Sequence, residues 1–568
     1  MTSFLSTKFK DYSSDNRFWI LCILAVSCAA VLPIALMGIP DNPDLPEHLR
    51  FARTFHSEIQ NFNFSPGWAA DDNAGFGSVG VRFYPPITPL LMALTQLITN
   101  SWFDTLWTNI LLWMFIGCVG VFFWAKEWLP PPQAATAAIF YAAVPYHLFQ
   151  VYQAFLFAEF AAVAILPFCF LFAGRIVTRG RLIDVICFAT AFSGLILSHI
   201  PSTIIGSLSL AIYIAVLLER RFFFRSCVRF LGAFALSLAA TSFHLVRFLT
   251  ELAWVKVSST QFYGSGYLNY ASHLFPMFFN GGDFYTARLL WILDITIILT
   301  FLLFVPLAVF FVARAFSERV QTHRRSLTAL CATGLFAFFM MSSASAFLWS
   351  SAEFLQKLQF PWRWLSVASL VGSVAFAIGV SEIRNVLPSG QRVVWYGVAS
   401  LIFVILLFDI TQQILPSSPV SRENLAATME KIDQEKGCSC WWPTWAEETA
   451  FGNPERVAAG SRAVEISEWK AETRSFAIEA GTEPNARIAT FYYPHWKAEV
   501  NGIPTEVQKA ADGTITIPLD QQASHVHLFF EEPYFLSAAN AISLITWAGL
   551  LFGLLASKRR TNGRTGGI

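Results

Sequence analysis

Charge is scarce in this sequence, and the little there is nearly cancels. Asp, Glu, Lys and Arg make up 14% of the 568 residues, and a formal net charge of +1 offers a nucleic acid no broad basic field. Nucleotide and metalloprotease signatures are missing too: no Walker loop, no GxGxxG opening a helix after a strand and no HExxH occurs. A cytoplasmic nucleotide site is therefore unsupported, and a donor substrate is expected to come from the membrane. No internal repeat and no low-complexity segment is present. Of the nine cysteines, Cys22, Cys28, Cys118, Cys169, Cys187, Cys227 and Cys331 lie in apolar segments, where a thiol acts as a small buried hydrophobe. Cys438 and Cys440 stand in a polar stretch as a disulfide, a metal-ligand pair or two free thiols. No second pair lies nearby, which disfavours zinc.

Apolar sequence is what the chain has most of. It is 55% hydrophobic, with a mean hydropathy of +0.50. Repeated runs of about 20 residues match the thickness of a hydrocarbon core of about 30 Å. The expected fold class is an all-α polytopic membrane protein of about 12–13 hydrophobic helices, with a small α+β extracytoplasmic domain before the last helix. The first run, 18–37, follows Lys8, Lys10 and Arg17 and reads as an uncleaved anchor with a cytoplasmic N-terminus. Further runs are expected near 86–100, 105–125, 134–151, 153–174, 182–199, 202–218, 228–249, 288–312, 326–346, 361–380, 393–412 and 536–556. Basic clusters at Arg175, Arg179 and Arg181, at Arg220, Arg221 and Arg225, at Arg314, Arg319, Arg324 and Arg325, at Arg384 and Arg392, and at Lys558, Arg559 and Arg560 orient them by the positive-inside rule. Parity then requires one run not to cross, and the shortest, 87–99, is expected to be re-entrant.

Three regions follow: a transmembrane domain over 1–412 with its first outer loop at 38–86, a periplasmic α+β domain over 413–535, and a last helix with a basic tail over 536–568. The middle region opens on the helix-like SRENLAATMEKIDQEKG. It closes on alternating runs around Asn501-Gly502 and Asp512-Gly513, which read as hairpins.

Residues able to do chemistry gather on the outer side. The loop at 38–86 carries Asp41, Asp44 and His48, and residues 44–60 read as an amphipathic surface helix. A carboxylate there can deprotonate an acceptor hydroxyl. Its structural alternatives are a turn role for Asp41 and a capping box joining Asp44 to Glu47. Glu159, in AFLFAEFAA, is a carboxylate within apolar sequence and should face a partner or a polar cavity. His199 and His147 lie at the same level, where a helix cap competes with a functional role. Arg363, between Trp362 and Trp364, can fork phosphate oxygens, with a snorkelling anchor as the alternative. Arg82, before Tyr84, is a second phosphate candidate. The aromatic loop with Tyr263, Tyr267, Tyr270, His273 and Asp283 suits sugars or lipids, and His525 and His527 share a strand face without an evident third metal ligand.

The residues Asp44 and His48, then W..DDNAGFGSVGVRFYPP, AE at 158–159, LSH at 197–199 and FPWRWL at 360–365 together resemble the GT-C superfamily of integral-membrane glycosyltransferases. Within it the sequence is most similar to the bacterial "6-pyruvoyl-tetrahydropterin synthase-related" membrane proteins, a label that implies no pterin chemistry. FYYPHW..EVNG resembles the β-rich tail of related bacterial members. The resemblance covers most of the chain through short, degenerate motifs. It implies a bacterial inner-membrane enzyme with its active face in the periplasm. The implied partners are a polyprenyl-phosphate-linked sugar, membrane lipids and an acceptor that is a glycolipid, glycan or protein. Asp44 or Asp41 is the implied base beside His48. Arg363 is the implied phosphate contact, and Trp362, Glu159, His199, Arg82 and Tyr84 are the remaining substrate-site residues. A divalent cation, Mg or Mn, is a cofactor in part of the superfamily. Against this stand a transporter or flippase of lipid-linked material and a non-catalytic scaffold.

Overall fold

The computed structural model describes residues 15–259, 268–277, 280, 284–308, 324–386, 389–414 and 419–565. Tyr263, Tyr267, Asp283, Arg314 and Arg319 lie outside the described residues. Eight described helices are long and apolar enough to cross a membrane, from Asn16–Met37 through Trp102–Ala125 and Phe157–Thr178 to Tyr534–Ser557. Four shorter apolar helices accompany them: Ile87–Thr99, Leu182–Ile196, Arg325–Met341 and Ser400–Ile414. The 13 residues of Ile87–Thr99 span about 20 Å at 1.5 Å per residue, short of a full crossing.

Two expected spans are broken. The run at 134–151 resolves into the helix Pro131–Ala142, the turn Pro145–Leu148 and the π-helical Phe149–Gln153. Pro145 supplies no backbone N–H and holds Val144 extended at ψ 139°, so the helix cannot continue. The run at 228–249 breaks at Thr241 into Phe223–Ala240 and Ser242–Glu251. The second piece buries His244, Arg247 and Glu251, which are too polar for a lipid-facing turn.

The sheet-bearing end of the bundle is built from two distant stretches. A four-stranded sheet has the order Val457–Ala458, Asn485–Phe491, Thr514–Pro518, Gln508–Lys509, and a five-stranded sheet has the order Val464–Trp469, Thr473–Ile478, Ser524–Phe530, Trp496–Val500, Ile503–Thr505. Every pairing within them is antiparallel. The Asn501-Gly502 turn joins Trp496–Val500 to Ile503–Thr505, with φ of 54° and 77°, both positive as a tight primed hairpin turn requires. Phe476 and Val526 of one sheet and Ile488 and Ile515 of the other share a core, and Trp68, Phe76, Val79 and Phe83 of the first loop complete it. The sheets are therefore fused to the first loop, not merely tethered to the last helix.

Gly77 fits that loop to the core: its φ is +81°, and a Cβ there would lie 2.2 Å from the Trp68 ring. Gly77→Ala is expected to destabilise the protein by about 1–3 kcal/mol through overpacking and backbone strain. A lowered thermal midpoint in detergent would register it, and an unchanged midpoint would contradict this packing.

A second fastening is ionic. Arg82 sits between two carboxylates, with Nε donating to Glu251 at 3.0 Å and Nη1 to Glu532 at 2.6 Å. Tyr493 donates to Glu251 at 2.7 Å, His495 lies 3.0 Å from its other oxygen, and Arg247 reaches Glu532 at 3.2 Å. Burial disfavours the Arg82 charge, but the two carboxylates outweigh it and raise its pKa. This corrects the reading of Arg82 as a phosphate contact: its donors are spent on docking the sheets to the bundle.

Candidate active site

The amphipathic helix Asp44–Ile59 buries Leu45, Leu49, Ala52, Phe55 and Ile59 and begins directly after the turn at Asn42. Asn42 accepts from the Asp44 backbone N–H at 3.1 Å and donates to the Gln153 carbonyl at 3.0 Å, tying the helix start to the broken π segment. The expected capping box does not form. Pro43 is the N-cap, without a side-chain cap bond, and Glu47 instead accepts from the Cys438 backbone N–H at 2.9 Å. The Asp44 carboxylate is thus left free of helix capping.

Asp44 is exposed by area, yet protein walls most of its surroundings. Burial in this recess raises its pKa above the usual 3.8, and the Arg363 guanidinium opposes the shift. Asp41 is exposed and makes no hydrogen bond or ion pair with a described residue. Of the two carboxylates, Asp44 is the one on which Arg363 acts.

Behind Asp44, His48 is buried and accepts from the Tyr84 hydroxyl through Nδ1 at 2.9 Å, its tautomer set by donation to the Phe155 carbonyl. Burial lowers its pKa to about 4, outweighing that carbonyl, so the ring is neutral at pH 7 and both nitrogens are occupied. Tyr84 in turn stacks on Phe51, with centroids 4.4 Å apart. His48 therefore orients the helix start. Phe155, which receives its bond, has a φ of 45°, an unfavourable value for a bulky residue and one that structures retain mainly around functional sites.

Arg363 comes from the 3-10 turn Pro361–Trp364 that opens Leu365–Val386. Its Nε lies 3.0 Å from Glu159 and its Nη1 donates to the Leu358 carbonyl at 2.7 Å, while Nη2 has no partner among the described residues. Phe360 and Trp362 flank the guanidinium at 4.9 and 6.0 Å, and Phe360 stacks on Trp362 at 5.0 Å. Glu159, at the start of Phe157–Thr178, also accepts from the Tyr146 hydroxyl and from Gln150 at 3.1 Å. His199 caps Ile200–Leu217 by accepting from the Ser202 backbone N–H at 3.3 Å. Burial, Arg363 and His48 all push its pKa down.

The structure thus brings Asp44, His48, Tyr84, Glu159, Arg363, Trp362 and His199 to one end of the bundle, while Arg82 is spent on Glu251 and Glu532. His147 serves a structural role, with Nδ1 2.7 Å from the Tyr141 carbonyl. Sequence reasoning missed Tyr146 and Gln150; Gln150, a polar residue in the same apolar stretch that flagged Glu159, was the available signal.

Cys438 and Cys440 form a disulfide. Among the described residues no group of three or more His, Cys, Asp or Glu could hold a metal ion. Near Asp44, His48 is committed to Tyr84 and Phe155 and Glu159 to Arg363, while Asp41 has no partner among the described residues.

A polytopic bundle with a polar recess under a sheet-bearing cap is a membrane-protein architecture. Residues 81–417 match the family described as 6-pyruvoyl-tetrahydropterin synthase related domain, membrane protein, and the chain belongs to that family. No curated protein matches the chain in sequence. Among solved structures it is similar to the arabinofuranosyltransferase AftD from mycobacteria, at 14% identity over 72% of this chain and 27% of that one, with a TM-score of 0.43. It is also similar to the Archaeoglobus fulgidus oligosaccharyltransferase, at 13% identity over 75% and 60% of the two chains, with a TM-score of 0.41. A third is the arabinosyltransferase EmbB from Mycobacterium smegmatis, at 10% identity over 90% and 62%, with a TM-score of 0.35. The chain spans little more than a quarter of the AftD chain and under two thirds of the other two.

Proposed function

We propose that the chain is an inverting GT-C-type glycosyltransferase of the bacterial inner membrane, with both termini in the cytoplasm. It moves a sugar from a polyprenyl-phosphate carrier to an acceptor hydroxyl at the sheet-bearing end, which faces the periplasm. The observation that carries this reading is the pairing of a free carboxylate, Asp44, with an anchored guanidinium, Arg363, that keeps Nη2 unpartnered. The GT-C resemblance of the motifs that supply these two residues supports it.

In this mechanism the acceptor oxygen forms a bond to the sugar's anomeric carbon as the bond from that carbon to the phosphate oxygen breaks. The acceptor proton passes to Asp44. The bonding pair leaves on the polyprenyl phosphate, where Arg363 offsets the developing charge. Glu159 and the Leu358 carbonyl hold Nε and Nη1, so the arginine is aimed before the donor arrives. Phe360 and Trp362 beside it suit the first isoprene units of the carrier.

Arg363→Lys tests the phosphate role. One ammonium cannot keep Glu159, Leu358 and a phosphate in three directions. Affinity of the purified protein for polyprenyl phosphate is expected to fall about tenfold or more, a loss of about 1.4 kcal/mol. Unchanged affinity would remove Arg363 from the donor site.

A further inference from the structure

A cavity lies away from the Asp44 recess, between the far turns of Asp44–Ile59 and the two sheets. Its volume is about 1160 Å³, above the usual range for a small-ligand pocket of about 300–1,000 Å³. Arg50, Thr54 and Ser57 line it at the three- and four-residue spacing of one helical ridge, and Asn61 follows in the turn beyond Ile59. Glu47 and Asp44 precede Arg50 on the same helix, with Asp44 about 110° round the axis from the cavity-lining residues. Arg50 follows Asp44 by about 9 Å and Ser57 by about 20 Å along the axis. Residues 437–441 cross the helix between cavity and recess, where Cys438 bonds Glu47 and Trp441 meets Phe51 edge-on at 5.8 Å.

The lining mixes both signs of charge. Five carboxylates, among them Asp71, Asp72 and Asp433, stand with four cations, among them Arg53, Arg456 and Lys470, and Trp102 and Trp469 add aromatic surface. Trp469 is fixed by Arg474 on its buried side at 4.7 Å and by Arg456 at 5.3 Å. Asp71 is exposed and makes no hydrogen bond or ion pair with a described residue. A polyphosphate or nucleic acid would meet the three aspartates, and a basic peptide would meet the arginines. A lipid chain would find polar walls. Sugar hydroxyls donate and accept at once, so a neutral polyhydroxylated chain satisfies both signs while its apolar ring faces meet Trp102. Asp72 suits the same ligand: burial raises its pKa to about 7, against the pull of Arg50, so at neutral pH its carboxyl both accepts and donates.

We infer that this cavity is a distal acceptor subsite that holds a neutral oligosaccharide while its terminal hydroxyl reaches Asp44. The inference rests on the glycosyltransferase reading and names its acceptor class. The test presents the full chain in nanodiscs to short neutral and acidic oligosaccharides on an array. Neutral glycans are expected to bind wild type, and to bind Thr54→Trp, which fills the cavity, and Asp71→Asn about tenfold more weakly. Binding of acidic glycans alone, binding of none, or affinity unchanged in both cavity variants would overturn the subsite. Transfer that survives in Asp44→Asn while cavity binding stands would sink the base assignment and spare the subsite. Transfer lost in Asp44→Asn with no glycan bound would do the reverse.

Discussion

Replacing Asp44 by asparagine is expected to lower sugar transfer by about 10²–10⁴-fold, the usual range for general base catalysis. The thermal midpoint should stay close to wild type, because the side chain caps no helix and is exposed by area. Asparagine keeps the shape and removes only the proton acceptor, so the effect should fall on kcat with the donor KM nearly unchanged. Asp41→Asn serves as the control and should transfer at the wild-type rate. The pH profile carries the same information. The base works deprotonated, so the rate falls as pH drops through the Asp44 pKa, and burial places that limb above the usual 3.8. A limb unmoved from 3.8, or a full rate in Asp44→Asn, would exclude Asp44 as the base.

The second large effect is expected at Glu251→Gln. Glu251 is buried and receives Arg82, Tyr493 and His495, two of them from the sheet-bearing region. Removing its charge leaves Arg82 with Glu532 alone, and breaking a buried pair costs about 3–5 kcal/mol. The sheets should loosen from the bundle, seen as faster proteolysis in residues 453–533 and a lower thermal midpoint. The pH dependence has a definite sign. Burial acts to raise the Glu251 and Glu532 pKa values, but His495 and Arg82 for the first and Arg82 for the second outweigh it and hold both below 4.5. Their stabilisation is complete above 4.5 and is lost as pH falls through the lowered folded-state values. Cap docking that weakens instead as pH rises from 5 to 8 would contradict this assignment.

Much of this fold was legible because period and length carry the signal. Apolar runs gave the helices, and alternating runs around Asn501-Gly502 gave the hairpin. The break before Pro145 was written in the sequence, but the apolar residues on both sides masked it. The candidate site was legible where a charge stood in apolar surroundings, as with Glu159 and Arg363, because such a charge needs a partner. Their pairing was not legible, since 204 residues separate them and only packing brings them together. Arg82 misled for the same reason: a basic residue at the membrane edge looks alike whether it meets a phosphate or, as here, Glu251 and Glu532. The resemblance alone favours Asp44 over Asp41, because the DNPD turn offers both; the fold adds that Arg363 acts on Asp44.

The most direct test of the glycosyltransferase reading uses purified protein in nanodiscs, a panel of polyprenyl-phosphate sugars and a membrane extract supplying acceptors, with products resolved by mass and anomeric configuration. The expected result is release of polyprenyl phosphate matched by a new glycosidic bond of inverted configuration. Donor that crosses the bilayer intact, with no bond broken, would contradict that reading and identify a transporter.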